Sequence, residues 1–204
     1  MTVKTLPDAV REGLRAIAVG INPSLPSVRA GFYFANPRNR FWPALNASRL
    51  VDAPLAPGPG AIDVLVERYG IGFTDIVKRP TAGSAELRAR EYREGAARLE
   101  ALVLRCEPDV VWFQGAQAWR AFARHAGWSA AGKVEWGPQQ ATIGSARVFV
   151  TPNPSPANAT YGLPVLVRWF NALAAFLPPV EHLPGVVDVR TRVPHEIKRI
   201  DEDY

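Results

Sequence analysis

Two asparagine-proline-serine segments are the first residues in this chain whose types and spacing suit chemistry. One reads Gly20-Ile21-Asn22-Pro23-Ser24, the other Pro152-Asn153-Pro154-Ser155-Pro156-Ala157-Asn158. Asn-Pro is a turn starter, and either segment alone would read as no more than a turn. Both follow short apolar runs, however, so each places a carboxamide where a strand ends. A carboxamide can orient water but takes no proton near neutral pH. A carboxylate can take one, and Asp75 lies toward the carboxyl end of another run, Gly72-Phe73-Thr74-Asp75-Ile76-Val77. Asp75 reads either as an acid–base group or as a turn or helix-capping aspartate. From Gly20 to Val51 the chain has no acidic residue, while Arg29, Arg38, Arg40 and Arg49 alternate with Phe32, Tyr33, Phe34, Phe41 and Trp42. Cations interleaved with rings suit a phosphate backbone with a stacked base. The same pattern also describes an Arg-rich solvated surface over an aromatic core. A second acid-free stretch, Trp136 to Val180, contains the second segment. His125, His182 and His195 lie apart, without ligand spacing or partner cysteines, so no metal and no cofactor are expected.

The elements that must position these residues alternate. Residues 14–20, 72–77, 110–113 and 147–151 are short apolar runs bounded by turn residues, the pattern of inner strands in a parallel sheet. Residues 84–105 carry a helical stripe of Leu87, Leu99, Leu102 and Val103, with Glu86/Arg90 and Glu94/Arg98 at i, i+4. Residues 116–125 and 164–176 are further helices, the last with proline in its first turn. Strand followed by helix, repeated, predicts an α/β layered domain with a mostly parallel sheet. Ligands of such sheets bind at the carboxyl ends of the strands, which is where Asn22, Asp75 and Asn153 fall. Residues 52–60 read as a Pro/Gly loop too short to divide domains. The expected division is a domain over 1–177 and an extension over 178–204, an arm or a tail.

Composition narrows the classes. The 204 residues hold 24 Lys plus Arg against 19 Asp plus Glu, a formal +5, with 48% hydrophobic residues. That apolar fraction argues against a disordered chain. Arginine, the better fork for phosphates, supplies 20 of the 24 cations. Residues 178–204 are net −2, so residues 1–177 carry +7. The single cysteine, Cys106, excludes an intramolecular disulfide, a four-cysteine zinc site and an iron–sulfur cluster. No apolar run approaches the roughly 20 residues that span a bilayer, and no signal-type segment opens the sequence. A soluble, cytoplasmic monomer without membrane contact is expected.

Gly-Ile-Asn-Pro-Ser at 20–24, Gly-Phe-Tyr-Phe-Ala-Asn-Pro-Arg-Asn-Arg-Phe-Trp at 31–42 and Asn-Pro-Ser at 153–155 resemble the mismatch-specific uracil/thymine DNA glycosylases of the uracil-DNA glycosylase superfamily. Residues 72–81 and 115–119 resemble family segments too, so the likeness spans roughly 14–175. It implies a three-layer fold with a central four-stranded, mostly parallel sheet flanked by helices. It also implies a monofunctional glycosylase that hydrolyses the N-glycosidic bond of uracil, with thymine and ethenocytosine as further candidates. The substrate would be double-stranded DNA with a G·U or G·T mismatch. In this likeness Phe34 stacks on the extruded base beside Tyr33, amides near Ile21 and Phe34 read its edge, Asn22 positions water, and Asn153 donates to the leaving base. Ser24, Ser27, Ser155, Arg38 and Arg40 are expected on backbone phosphates, although Arg40 reads equally as a residue pinning its loop. The chain departs from the family in its acidic Asp75 and in Pro156 and Ala157, where relatives carry glycine and a bulky wedge. Asn158 or Tyr161 is left to fill the space of a flipped base. A hydrolase or transferase of free pyrimidine nucleosides and a silent mismatch-binding homologue are the competing readings.

Overall fold

The computed structural model describes residues 5–128 and 134–180. Its strands are β1 (Ala16–Gly20), β2 (Ile71–Asp75), β3 (Val110–Gln114), β4 (Gly137–Ile143) and β5 (Ala146–Thr151). They form one sheet in the order β2-β1-β3-β5-β4, parallel except for the antiparallel β4–β5 pair. The helices are α1 (Leu25–Ala30), α2 (Phe41–Asn46), α3 (Pro59–Glu67), α4 (Ala89–Cys106), α5 (Ala116–His125) and α6 (Leu163–Phe176). β2 and β3 are buried along their whole length, as strands covered on both faces must be. Successive strand residues point to opposite faces, and β3 shows which helices cover which face. Trp112 meets Phe170 of α6 and Phe41 of α2, at centroid separations of 4.9 and 6.2 Å. Its neighbour Phe113 meets Trp119 and Phe122 of α5, at 5.2 and 5.5 Å. The α/β three-layer expectation is met, with five strands where four were expected.

The differences from the sequence reading are local. β4 went unseen because its Gly-Pro-Gln-Gln-Ala-Thr-Ile is polar, with an alternating burial suited to an edge strand rather than to an inner one. The helix expected over 84–105 breaks into a short 3-10 turn (Ser84–Glu86) and α4. Leu87 and Arg88 between them are extended, and the Glu91 carboxylate caps the Arg88 amide at 2.9 Å. The 52–60 loop gives way to α3 at Pro59, and the motif residues contain the short helices α1 and α2. Residues 181–204, most of the expected extension, lie outside the described residues. No described helix is long and apolar enough to cross a membrane.

Two long-range attachments place the loops around the carboxyl ends of the strands. The N-terminal segment lies along the outer edge of β2, where Ala9 and Phe73 exchange both backbone hydrogen bonds at 2.9 and 2.8 Å. Across the sheet, Arg40 ties the first motif to the second. Its amide donates to Pro154 O at 3.1 Å, and its guanidinium donates to the carbonyls of Pro154, Ser155, Asn158 and Tyr161, with Ser155 O at 2.7 Å. Of the two readings of Arg40, the hydrogen bonds favour the one that pins its loop over the phosphate contact, because four of its five N–H donors serve these carbonyls. Arg40→Lys replaces a planar fork with one point charge, which cannot bridge four divergent acceptors. The variant is expected to lose roughly 2–4 kcal/mol of stability. Urea unfolding would measure the loss, and hydrogen exchange should quicken in residues 155–161 first.

Candidate active site

The strands end level with one another, and their last residues share a face. Gly20 pairs with Asp75, Val19 with Phe113, and Gln114 with Thr151. Asp75 lies two residues after Phe73 and Gln114 two after Trp112, so both point to the face of Phe41. Above this row opens a cavity of about 560 Å³. It brings together Ile21, Asn22, Ser24, Ser27, Tyr33, Phe34, Asp75, Asn153, Ser155, Ala157 and Asn158 from the sequence reading. Arg38 is exposed and Pro156 half-buried, and neither lines it.

Asn22 is oriented by the loop after β2. Its Nδ2 donates to Thr81 Oγ1 at 2.7 Å and to Arg79 O at 3.0 Å. Both donors of the amide are used, so Oδ1 is the atom left to accept a hydrogen bond from water. Arg79 is itself held by a two-point ion pair with Glu91, at 2.6 and 3.0 Å. Asn153 is oriented the opposite way. Its Oδ1 accepts from Ser155 N at 2.8 Å, leaving the Nδ2 hydrogens to be donated. Asn153 lies so near Gly115 that a Cβ there would stand 3.0 Å from its own, at a backbone φ of +112° that already favours glycine.

Asp75 is 4% exposed, and its Oδ2 is buried with no hydrogen-bond partner among the described residues. Burial pushes this carboxyl up to about 7, against the opposing pull of Lys78 and Arg98 and with help from Asp8. Room for it comes from Gly20, since a Cβ at that position would lie 2.4 Å from Asp75 Oδ1. Lys78 itself is engaged by Asp8, Nζ to Oδ1 at 2.8 Å.

Phe34 has φ +59°, an uncommon value for a bulky side chain. Its ring lies parallel to Phe41, 4.1 Å between centroids and 15° between planes, and its remaining surface lines the cavity. Ser27, 4% exposed, steadies the backbone here, its Oγ accepting from Ala35 N at 3.2 Å and from Ser24 Oγ at 3.0 Å. Ser24 also caps α1, so both hydroxyls help to hold the loop. Tyr33 is buried against Phe73 and donates to Pro7 O at 3.0 Å.

Asn158 and Tyr161, the side chains expected to fill the space of a flipped base, also have partners. Asn158 Nδ2 donates to Asn153 O at 3.0 Å, and Tyr161 packs edge-on against Trp136 at 5.4 Å. Ala157 is exposed but ends at its methyl group. Three contributors were missed in the sequence. Thr81 orients Asn22 from 59 residues away, which no local pattern announces. Leu6 lines the cavity from a segment with no strand or helix period. Gln114 had a signal, being the polar end of the apolar run Val-Val-Trp-Phe-Gln before glycine. It is 2% exposed, and both amide atoms lack a partner among the described residues. Among these residues no three His, Cys, Asp or Glu side chains converge to hold a metal.

This site can hold a flat ring against Phe34, align water at Asn22 and accept a proton at Asp75. Comparison with solved structures finds the same fold in a Methanosarcina acetivorans protein named provisionally as a uracil DNA glycosylase, with a solution NMR structure. It is 20% identical, with a TM-score of 0.56, over 85% of this chain and 99% of that one. A family profile described as the uracil DNA glycosylase superfamily matches residues 7–174. The chain therefore belongs to the uracil DNA glycosylase superfamily, enzymes that act on DNA and hydrolyse N-glycosidic bonds.

Proposed function

We propose that this glycosylase removes uracil, flipped out of a G·U-mismatched duplex, by direct attack of water and without a covalent enzyme intermediate. Thymine opposite guanine and ethenocytosine are the secondary substrates. The observation that carries the reading is the convergence on one cavity of Asn22, Phe34, Asn153 and a buried carboxylate, Asp75, whose Oδ2 has no partner among the described residues. Flipping costs a few kcal/mol of unstacking, least at a mismatch, and stacking on Phe34 returns roughly 1–3 kcal/mol. Asn22 Oδ1 accepts a hydrogen bond from the attacking water. The water oxygen bonds to C1′ as the bond from C1′ to the base breaks, and the electron pair leaves with the base. Asp75 takes the water proton, and the charge on the departing base oxygen is met by N–H groups, including Asn153 Nδ2. The exposed Arg29, Arg38 and Arg49 supply cations for the duplex backbone.

Excision from duplexes holding U·G, U·A and T·G, and from single-stranded U, is the direct assay. Strand cleavage after alkali should appear for U·G, and cleavage of none of the four would sink the reading. Because the loop after β5 offers no bulky apolar wedge, U·A should be cut within about tenfold of U·G. Asn22→Ala is expected to slow excision by roughly 10²–10³.

Asp75 must be ionised to accept a proton. With its pKa near 7, the wild-type rate should climb between pH 6 and pH 8, while Asp75→Asn should be slow and flat. The same group links pH to stability. Its folded pKa lies above the unfolded one, so stability falls as pH rises from about 4 to 7. Asp75→Asn should therefore melt above the wild type at pH 8, by a margin that shrinks toward pH 5. A lower melting temperature at pH 8 would contradict the buried, unpaired carboxylate.

A further inference from the structure

At the outer edge of β2 the described residues hold a compact charged cluster. Asp8 Oδ1 accepts from Lys78 Nζ at 2.8 Å and from Thr74 Oγ1 at 2.6 Å, and Asp8 Oδ2 accepts from Arg98 Nη1 at 2.8 Å. Arg98 Nη2 donates to Thr74 Oγ1 at 3.2 Å and also to the backbone carbonyl of Asp75. Thr74 and Asp75 point to opposite faces, so this cluster stands behind the Asp75 carboxylate rather than over it. Two cations that act on the Asp75 carboxylate are thus both bound to a different acid, while the buried Asp75 Oδ2 has no partner among the described residues. Asp8 is carried there by the N-terminal segment, whose pairing with Phe73 fixes it and whose Leu6 lines the cavity.

We propose that Asp8 is a positioning residue for the hydrolytic step: by engaging Lys78 and Arg98 together it offsets their charge, so that the Asp75 carboxylate stays basic enough to accept a proton. The inference rests on the reading of Asp75 as the base. The charged and titratable groups that act around Asp75 come from four segments. Lys78 comes from the segment after β2, Arg98 from α4, Asp8 from the N-terminal segment and Tyr33 from the loop after α1, while β1 contributes only Gly20. Tyr33 remains a neutral phenol, because burial and the negative charges of Asp75 and Asp8 push its pKa far upward. The balance at Asp75 is thus two cations against one other acid. A carboxylate paired with a cation has a depressed pKa and is a poor base near neutrality. Without Asp8, both cations would act on Asp75 unopposed.

The test is a titration of the Asp75 carboxyl ¹³C resonance in the full chain, assigned by its absence in Asp75→Asn, alongside the pH profile of U·G excision. Asp8→Asn should lower the Asp75 midpoint by about one pH unit or more. Lys78→Met, which removes a cation, should raise it, and Asp8→Glu should restore it toward the wild-type value. A cluster that only held the fold would change melting temperature without these opposite shifts. If Asp8→Asn does not fold, Lys78→Met decides alone. Midpoints that stay where they are, or that move the same way in both variants, overturn the inference. Midpoints that move as expected while the excision profile does not would overturn the reading of Asp75 as the base.

Discussion

The register of the parallel sheet is the constraint on which the rest of this molecule depends. β1 lies between β2 and β3, and Gly20 stands opposite Asp75 while Val19 stands opposite Phe113. Parallel strands in register carry their side chains to the same face at the same level. Asp75 and Gln114 therefore flank a position that has no side chain at all. A slip of one residue in β2 would turn Asp75 toward α4 and bring Thr74 over the cavity. With both faces buried, the packing of the large aromatic side chains on each face holds that register. Phe73 belongs with Phe41 and Phe34 on one face, just as Phe113 belongs with Trp119 and Phe122 on the other.

A row of strand ends becomes a site only when loops close around it, and here two attachments do so. Arg40 binds the loop after β5 to the segment before α2 through carbonyl acceptors, a use of arginine as a structural clamp rather than a surface charge. On the opposite side, the loop after β2 holds Asn22 through Thr81 and Arg79, and Glu91 of α4 holds Arg79 in turn. The two asparagines leave β1 and β5 with opposite polarity, one presenting its carbonyl oxygen and the other its amino group. That asymmetry matches a reaction in which water must be held at one end and developing negative charge met at the other. The polar groups at the floor that lack a partner among the described residues, Asp75 Oδ2 and the Gln114 amide, destabilise the free protein. They mark the place where the fold gives up stability for a site.

Much of this was legible in the amino acids. The four parallel strands are runs of apolar residues ended by glycine or a polar group, and their carboxyl ends direct attention to Asn22, Asp75 and Asn153. α5 was read at its observed bounds, Ala116–His125, because its apolar stripe and its flanking Gly115 and Gly127 leave little choice. What escaped was structure whose reason lies elsewhere in the chain. β4 is polar and pairs only because β5 leaves an edge for it. Arg40 could be read as a phosphate contact or as a residue pinning its loop, because an arginine in an acid-free stretch resembles a surface cation. Its real acceptors lie 114 to 121 residues away.

The sequence by itself determined the layer architecture, the strand ends at which polar residues gather, and the superfamily to which the motifs belong. These follow from local quantities: hydrophobic period, turn chemistry and the identity of residues beside them. Only the tertiary structure decided which of those polar residues are free to act. A side chain's availability depends on what else reaches it, and here the partners come from distant segments. Asp75 Oδ2 has no partner among the described residues, while Asp8, 67 positions earlier, engages Lys78 and Arg98. Ser27, Arg40 and Asn158 are occupied because backbone groups brought to them by the fold claim their hydrogen bonds first.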